Sequence, residues 1–150
     1  MQIRPATLAD VPAIVGMAER FYATTEFPER LRFPFNADTV AQLATGLIDH
    51  VLLVADDGER LRGMVGLFVL PFLFNANHTS AHEIVWWVDP EAQGAGVGKA
   101  LLAAIEPACR AKGAEAIYMV HLASSPPQAA AIYERHGYVL TESSYVKRLD

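Results

Sequence analysis

The sequence predicts an α/β fold, and three stretches carry that prediction. A β-branched and aromatic run, Glu83-Ile84-Val85-Trp86-Trp87-Val88, is closed by Asp89-Pro90 and passes through the glycine loop Gln93-Gly94-Ala95-Gly96-Val97-Gly98-Lys99 into a helix from Ala100 to Lys112. Ahead of it, two strands flank Asp56-Asp57-Gly58, because Asp-Gly tolerates the positive backbone angles of a hairpin turn. Behind it, Ala116 to Leu122 reads as a strand and Gln128 to His136 as a helix ended by Gly137. A meander in the first half is thus followed by a crossover in the second.

In chain order, Ile3 to Pro5 makes a short first strand. Thr7 or Asp10 caps a helix starting near Val11-Pro12, with Pro12 suited to a first turn and Ile14, Val15, Met17, Ala18 and Phe21 as its apolar face. Pro28, Pro34, alternating charges and three phenylalanines make Tyr22 to Phe35 irregular. Asn36 or Asp38 caps a second helix, Thr39 to Ile48, with Val40, Leu43, Ala44 and Leu47 inward. Val51 to Ala55 is a strand. Its return strand runs from Leu61 to about Phe74, and Pro71, which has no N–H to give, should stop or bulge the pairing. A polar loop, Asn75 to Ser80, leads to the strand at Glu83. Leu101, Leu102, Ile105 and Cys109 give the central helix its inner face, and Pro107 should kink its last turns. Ser124-Ser125-Pro126-Pro127 separates the last strand from the last helix, and Tyr138-Val139-Leu140 with Val146 to Leu149 reads as a closing hairpin. The order is β-α-α-β-β-β-α-β-α-β-β over one domain, residues 1–150.

With 52% hydrophobic and 19% charged residues the chain is globular rather than disordered. Its net charge of −5 supplies no global field for nucleic acid or an anionic membrane. One cysteine, Cys109, excludes an internal disulfide and a cysteine-based metal cluster. The N-terminus lacks the build of a signal peptide, and the longest uncharged apolar run, Gly63 to Phe74, falls short of the roughly twenty residues of a membrane helix. A soluble cytoplasmic protein is expected.

A glycine loop feeding a helix start can hold an anion, because free backbone N–H groups and the positive end of the helix dipole converge there. A Walker A loop would need Gly at position 93 and Ser or Thr at 100, where Gln93 and Ala100 stand. A dinucleotide fingerprint would need Gly at position 99, which is Lys99. The run instead resembles the acetyl-CoA pyrophosphate loop of the GNAT N-acetyltransferase superfamily, Q/R-x-x-G-x-G/A, matched by Gln93, Gly96 and Gly98 after Val88-Asp89-Pro90-Glu91. Ala129-Ala130-Ala131-Ile132-Tyr133-Glu134-Arg135-His136-Gly137-Tyr138 resembles that family's C-terminal signature, A-x-x-x-Y-x-x-x-G-F/Y. Pro126 stands where the family usually has an Asn that contacts the pantetheine arm; Ser124 or Ser125 is the candidate replacement.

The resemblance implies the GNAT fold, a mixed central sheet flanked by helices. It implies an N-acetyltransferase that moves the acetyl group of acetyl-CoA to a primary amine of a small molecule or peptide, by direct attack in a ternary complex. It puts the diphosphate on the loop Gln93, Gly94, Ala95, Gly96, Val97, Gly98 and Lys99, counts Val88 among the cofactor-binding residues, and gives Ser125 to the pantetheine arm. It also makes Tyr133 the general acid; a phenol with a pKa near about 10 suits a thiolate leaving group. For the general base it offers Glu83 by chemical type and His82 by register, with solvent as a third choice. By strand alternation His82 shares a face with Ile84, Trp86 and Val88, and Glu83 with Val85 and Trp87. The rival from another class is a non-catalytic acyl-CoA-binding sensor or partner module. A member acting on aminoacyl-tRNA would need a basic surface.

Other groupings are weaker. His78 and His82 lie about 13 Å apart along an extended chain, so with His121 they make a poor metal site, and no metal is expected. Cys109 belongs to the apolar face of its helix. Trp86 and Trp87 put one indole on each sheet face. Phe27 to Phe35, with Phe72 and Phe74, would wall an acceptor site, and Glu26, Glu29, Asp38 and Glu83 would suit a cationic amine. The apolar strand Gly66 to Phe74 offers a surface for a homodimer.

Overall fold

The structure is a computed structural model describing all 150 residues. Five strands, β1 (Gln2–Pro5), β2 (Val51–Asp56), β3 (Leu61–Phe72), β4 (Asn75–Val88) and β5 (Ala116–Tyr118), form one sheet in sequence order. The first four pair antiparallel and β5 pairs parallel with β4, so the sheet is mixed as expected. Five helices flank it: α1 (Val11–Thr24), α2 (Phe27–Leu31), α3 (Ala37–Ile48), α4 (Val97–Ala111) and α5 (Gln128–Arg135). No helix is long and apolar enough to cross a membrane.

α4 covers one face, where Leu101, Leu102 and Ile105 meet Leu53, Val65 and Leu67. α1 and α3 cover the other, where Ile14, Met17 and Leu47 meet Leu52, Val54 and Met64. β2 is therefore buried on both sides, which is why its sequence is an unbroken apolar run. Gly63 lets α4 approach β3. A Cβ there would lie 2.8 Å from the carbonyl oxygen of Trp87 and 3.2 Å from Leu101 Cδ1. Gly63→Ala is expected to cost about 2 kcal/mol by overpacking, read as a lower urea midpoint at unchanged slope; an unmoved midpoint would refute the close-approach account.

Four local expectations change. Tyr22 to Phe35 is more ordered than its prolines suggest: α1 continues to Thr24, and α2 carries Pro28 in its first turn, where a missing N–H costs nothing. β4 starts at Asn75, because the mostly polar residues 75–78 belong to the exposed outer half of the β3–β4 hairpin and not to a loop. β5 stops at Tyr118, where side chains take over the next backbone groups, as described below. The closing hairpin does not form: Val139, Leu140, Tyr145 and Leu149 are exposed and residues 139–150 pair with no strand. A two-stranded hairpin without a third strand or a helix beneath it has too little to bury. The bulge expected at Pro71 is present, as a register shift between Pro71 and Phe72.

A second shift matters more. Gly66 faces Val85 and Leu67 faces Glu83, so Ile84 is an extra residue bulged out of β4. A bulge reverses alternation beyond it. Cross-strand partners share a face, so Glu83 lies on the α4 face with Leu67, Ala81 and Trp86, while His82 lies on the α1–α3 face with Phe68 and Val85. This corrects the alternation read from the sequence, which paired His82 with Trp86 and Glu83 with Val85.

Candidate active site

The end of β4 is anchored before the glycine loop begins. Asp89, buried, accepts hydrogen bonds from the Trp87 indole (2.9 Å) and from Arg20 Nε and Nη2 of α1 (both 3.0 Å). After a 3-10 turn, Pro90–Ala92, the side chain of Gln93 donates to the Val88 carbonyl at 3.1 Å. Buried Ala92 and Val97 hold the two ends of the exposed loop between them. Gly94 and Gly96 have φ of 82° and 81°, a backbone that side chains disfavour and that turns successive N–H groups to one side.

Within the loop, the N–H of Gln93 is accepted by Pro90 O and that of Ala95 by Ala92 O, and the first bond of α4 runs from Ala100 N to Gly96 O. The N–H groups of Gly94, Gly96, Val97, Gly98 and Lys99 find no acceptor in the chain. They cluster at the positive end of a 15-residue helix, with the exposed Lys99 side chain beside them. This is an anion-binding arrangement.

Trp86 continues the surface from the loop toward α5. A Cβ on Gly98 would lie 3.5 Å from Trp86 Cζ2, and the indole centroid is 5.5 Å from Tyr133, itself 5.7 Å from Tyr138. Trp86 Nε1 is buried without a hydrogen-bond partner. Such an orphan donor beside the first turn of α4 suits a polar ligand arm passing there.

β4 and β5 pair only at Ser80–Ala116, Ala81–Ile117 and His82–Tyr118, then part. Two side chains fill the split and meet on one residue. Glu83 Oε2 accepts the N–H of Val120 at 2.8 Å, and the Tyr133 hydroxyl donates to the Val120 carbonyl at 2.9 Å. Desolvation raises the Glu83 pKa to about 7, the Val120 N–H pulling it back. Burial raises that of Tyr133 as well, with the Glu83 charge adding to it, so its hydroxyl stays protonated across the neutral range.

The other sequence candidates are accounted for. His82 stacks on Tyr118, with centroids 4.6 Å apart and planes at 7°, and its Nε2 meets Ser80 Oγ at 2.9 Å. Ser125 closes the turn before α5: its hydroxyl accepts Leu122 N–H at 3.0 Å and its own N–H donates to Leu122 O at 2.9 Å. Cys109 is core, and burial lifts its thiol to about 11. His78 pairs with Glu115 and His121 with Pro126 O, so the three histidines do not converge, and no group of ligating side chains forms a metal site.

On the opposite sheet face, α1, α2 and α3 enclose a cavity of about 510 Å³ with Met64, Ile84 and Val85 in its lining. Phe27, Phe33 and Phe35 line it, in keeping with an aromatic wall; Phe72 and Phe74 instead pack on each other at 5.9 Å near the β3–β4 turn. What the letters did not mark is the share of α1 and α3 in it, because Phe21, Val40 and Leu43 read simply as inward helix positions. Nor did it single out Val120, which contributes only backbone.

The model of the acetyltransferase (GNAT) family matches residues 17–138. No curated protein sequence matches significantly. Among solved structures, an acetyltransferase of Trypanosoma brucei is similar at 24% identity and TM-score 0.72, over 99% of this chain and 98% of that one. A predicted acetyltransferase of Clostridium acetobutylicum, solved with acetyl-CoA, is similar at 13% identity and TM-score 0.72, over 97% and 94%. An aminoglycoside acetyltransferase from an uncultured soil metagenomic sample, solved with sisomicin, is similar at 17% identity and TM-score 0.67, over 99% and 94%. Identities this low speak for the fold alone.

Proposed function

The chain belongs to the acetyltransferase (GNAT) family, and on that premise we propose that it is an N-acetyltransferase transferring the acetyl group of acetyl-CoA to a primary amine. The observation that carries this reading is the set of unaccepted N–H groups from Gly94 to Lys99 at the start of α4, the donor set a diphosphate needs. Acetyl-CoA supplies the acetyl group as an activated thioester. The orphan Trp86 N–H, beside Gly98 at the start of α4, is the donor this reading gives to the arm of the cofactor.

At the split, the Glu83 carboxylate takes a proton from the acceptor ammonium. Its raised pKa fits it for this near neutral pH. The freed nitrogen bonds to the thioester carbonyl carbon and the C–S bond breaks. Tyr133 gives its proton to the departing sulfur and regains one from the nitrogen, while Glu83 releases its own to solvent. The products are the amide, a free thiol and one proton. His82, stacked on Tyr118 and bonded to Ser80, has no part in this.

Thermal unfolding tests the reading. Acetyl-CoA at a hundred times its dissociation constant adds about 2.7 kcal/mol and should raise the midpoint by about 5–10 °C, with NADH and ATP giving no comparable shift. Amines should then release free thiol from acetyl-CoA. Tyr133→Phe is expected to keep the shift and lower thiol release by about 10²-fold. Stabilisation without thiol release from any amine would move the assignment to a non-catalytic acyl-CoA sensor, and no stabilisation would remove both readings.

A further inference from the structure

The cavity between α1, α2, α3 and the sheet is where the acceptor's chemistry can be read. It carries no charged side chain. Its polar groups are Tyr22, Asn36 and Thr39, and these are largely spent inside the fold: the Tyr22 hydroxyl donates to the Phe33 carbonyl, and Asn36 Oδ1 accepts Thr39 N–H at 2.8 Å to cap α3. None of Glu26, Glu29 and Asp38, the acids expected to receive a cation, lines it, and Glu26 is paired with Arg30. A polycation would therefore meet aromatic and aliphatic surface here, with no partner for its charges. An aromatic or branched aliphatic group would bury there, and about 510 Å³ falls within the range of pockets that hold small ligands.

The cavity abuts the strand that carries the reacting centre. Ile84 and Val85 line it, while Glu83, one residue earlier and turned to the other face by the bulge, bonds Val120 in the split. An acceptor with its body in the cavity needs an arm that passes the bulge, where β4 and β5 part, to bring its nitrogen to Glu83. Only that end of the ligand meets an acid. At the outer side, Phe33 is 59% exposed, a large apolar side chain at the mouth with nothing over it.

Resting on the acetyl-transfer reading above, we propose that the acceptor is a small arylalkylamine: one primary amine on a short arm, carrying an aromatic body that fills the cavity formed by Phe21, Phe27, Phe35, Leu43, Met64 and Val85. Its nitrogen forms the new bond to the acetyl carbon as the C–S bond breaks, with the protons moving as described. Polyamines and aminoglycosides are excluded as good acceptors by the lack of charge around the body of the ligand.

Three measurements on the intact protein test this. Initial rates of thiol release with acetyl-CoA should give 2-phenylethylamine and tryptamine a kcat/KM at least about 50-fold above spermidine, an aminoglycoside or a peptide N-terminus. Leu43→Glu places a charge in the lining at a position already 36% exposed, so the fold should tolerate it. It should raise KM for 2-phenylethylamine about tenfold with kcat and the acetyl-CoA thermal shift preserved. Calorimetric titration of 2-phenylethylamine into the protein alone should show binding that Leu43→Glu weakens, and this arm holds even if acetyl-CoA proves not to bind. Preference for the polycations or the peptide, or a KM indifferent to Leu43→Glu, would overturn the proposal.

Discussion

Gly96→Glu is expected to abolish stabilisation by acetyl-CoA while the protein still folds. At Gly96 two costs coincide. Its φ of 81° is a backbone that a side chain adopts at about 1–2 kcal/mol, and its N–H is one of the free donors at the positive end of α4. No atom lies within 4 Å of a Cβ built there, so the new side chain fits, and its carboxylate sits where the diphosphate would lie. Repulsion between the two should weaken binding by at least about 10²-fold, enough to erase a midpoint shift of several degrees. Gly58→Glu is the control: it has the same kind of backbone angle, φ of 93°, but lies in the β2–β3 turn, so it should lose similar stability and keep the full acetyl-CoA shift. An intact shift in Gly96→Glu would mean that the loop is a strand-to-helix turn and no more.

Glu83→Gln should lower kcat/KM by about 10²-fold at pH 8 and remove the inflection expected for the native protein near pH 7. The same substitution has an opposite effect on stability. Because the folded carboxyl binds its proton up to about 7 and the unfolded one only to 4.5, the native protein loses stability as pH rises through that window. Gln carries no charge to desolvate and can still accept the Val120 N–H. The variant should therefore be the more stable protein above pH 7, by about 1–2 kcal/mol once solvent access to the half-buried side chain is allowed for, and equal to the native chain below pH 4.5. His82→Gln should leave the rate within about twofold, because His82 is engaged by Tyr118 and Ser80 and does not line the cavity. A Glu83→Gln enzyme with an unchanged rate and the inflection retained would assign proton removal to solvent. Slower turnover together with greater stability is the mark of a group kept for chemistry at a cost to the fold.

Glu83 also marks how far the sequence could be read. Its residue type and its place before the glycine loop drew attention to it, yet strict alternation turned it to the wrong face. The missing fact was the bulge at Ile84, which depends on how β4 registers against Gly66 and Leu67 of β3. Tyr133 was legible from its motif, but its link to Glu83 runs through the backbone of Val120, thirteen residues upstream of the tyrosine. Backbone partners leave no trace in side-chain identity. The closing hairpin failed for a related reason: Val139, Leu140 and Val146 to Leu149 have strand chemistry, and strand chemistry forms a strand only where an edge is there to receive it.

By itself the sequence determined what rests on neighbours along the chain: the Asp-Gly hairpin, the cap at Asn36, the apolar faces of α1, α3 and α4, and the glycine loop with its free N–H groups at the start of α4. These depend on propensities and hydrogen bonds within a few residues, so the letters carry them. Tertiary structure alone decided which carboxylate faces the split, what occupies the gap between β4 and β5, and that the inward faces of α1 and α3 leave a charge-free cavity over the bulge. Each of those is set by register and by the spacing of packed layers, which join residues too far apart in the chain for any local pattern to record.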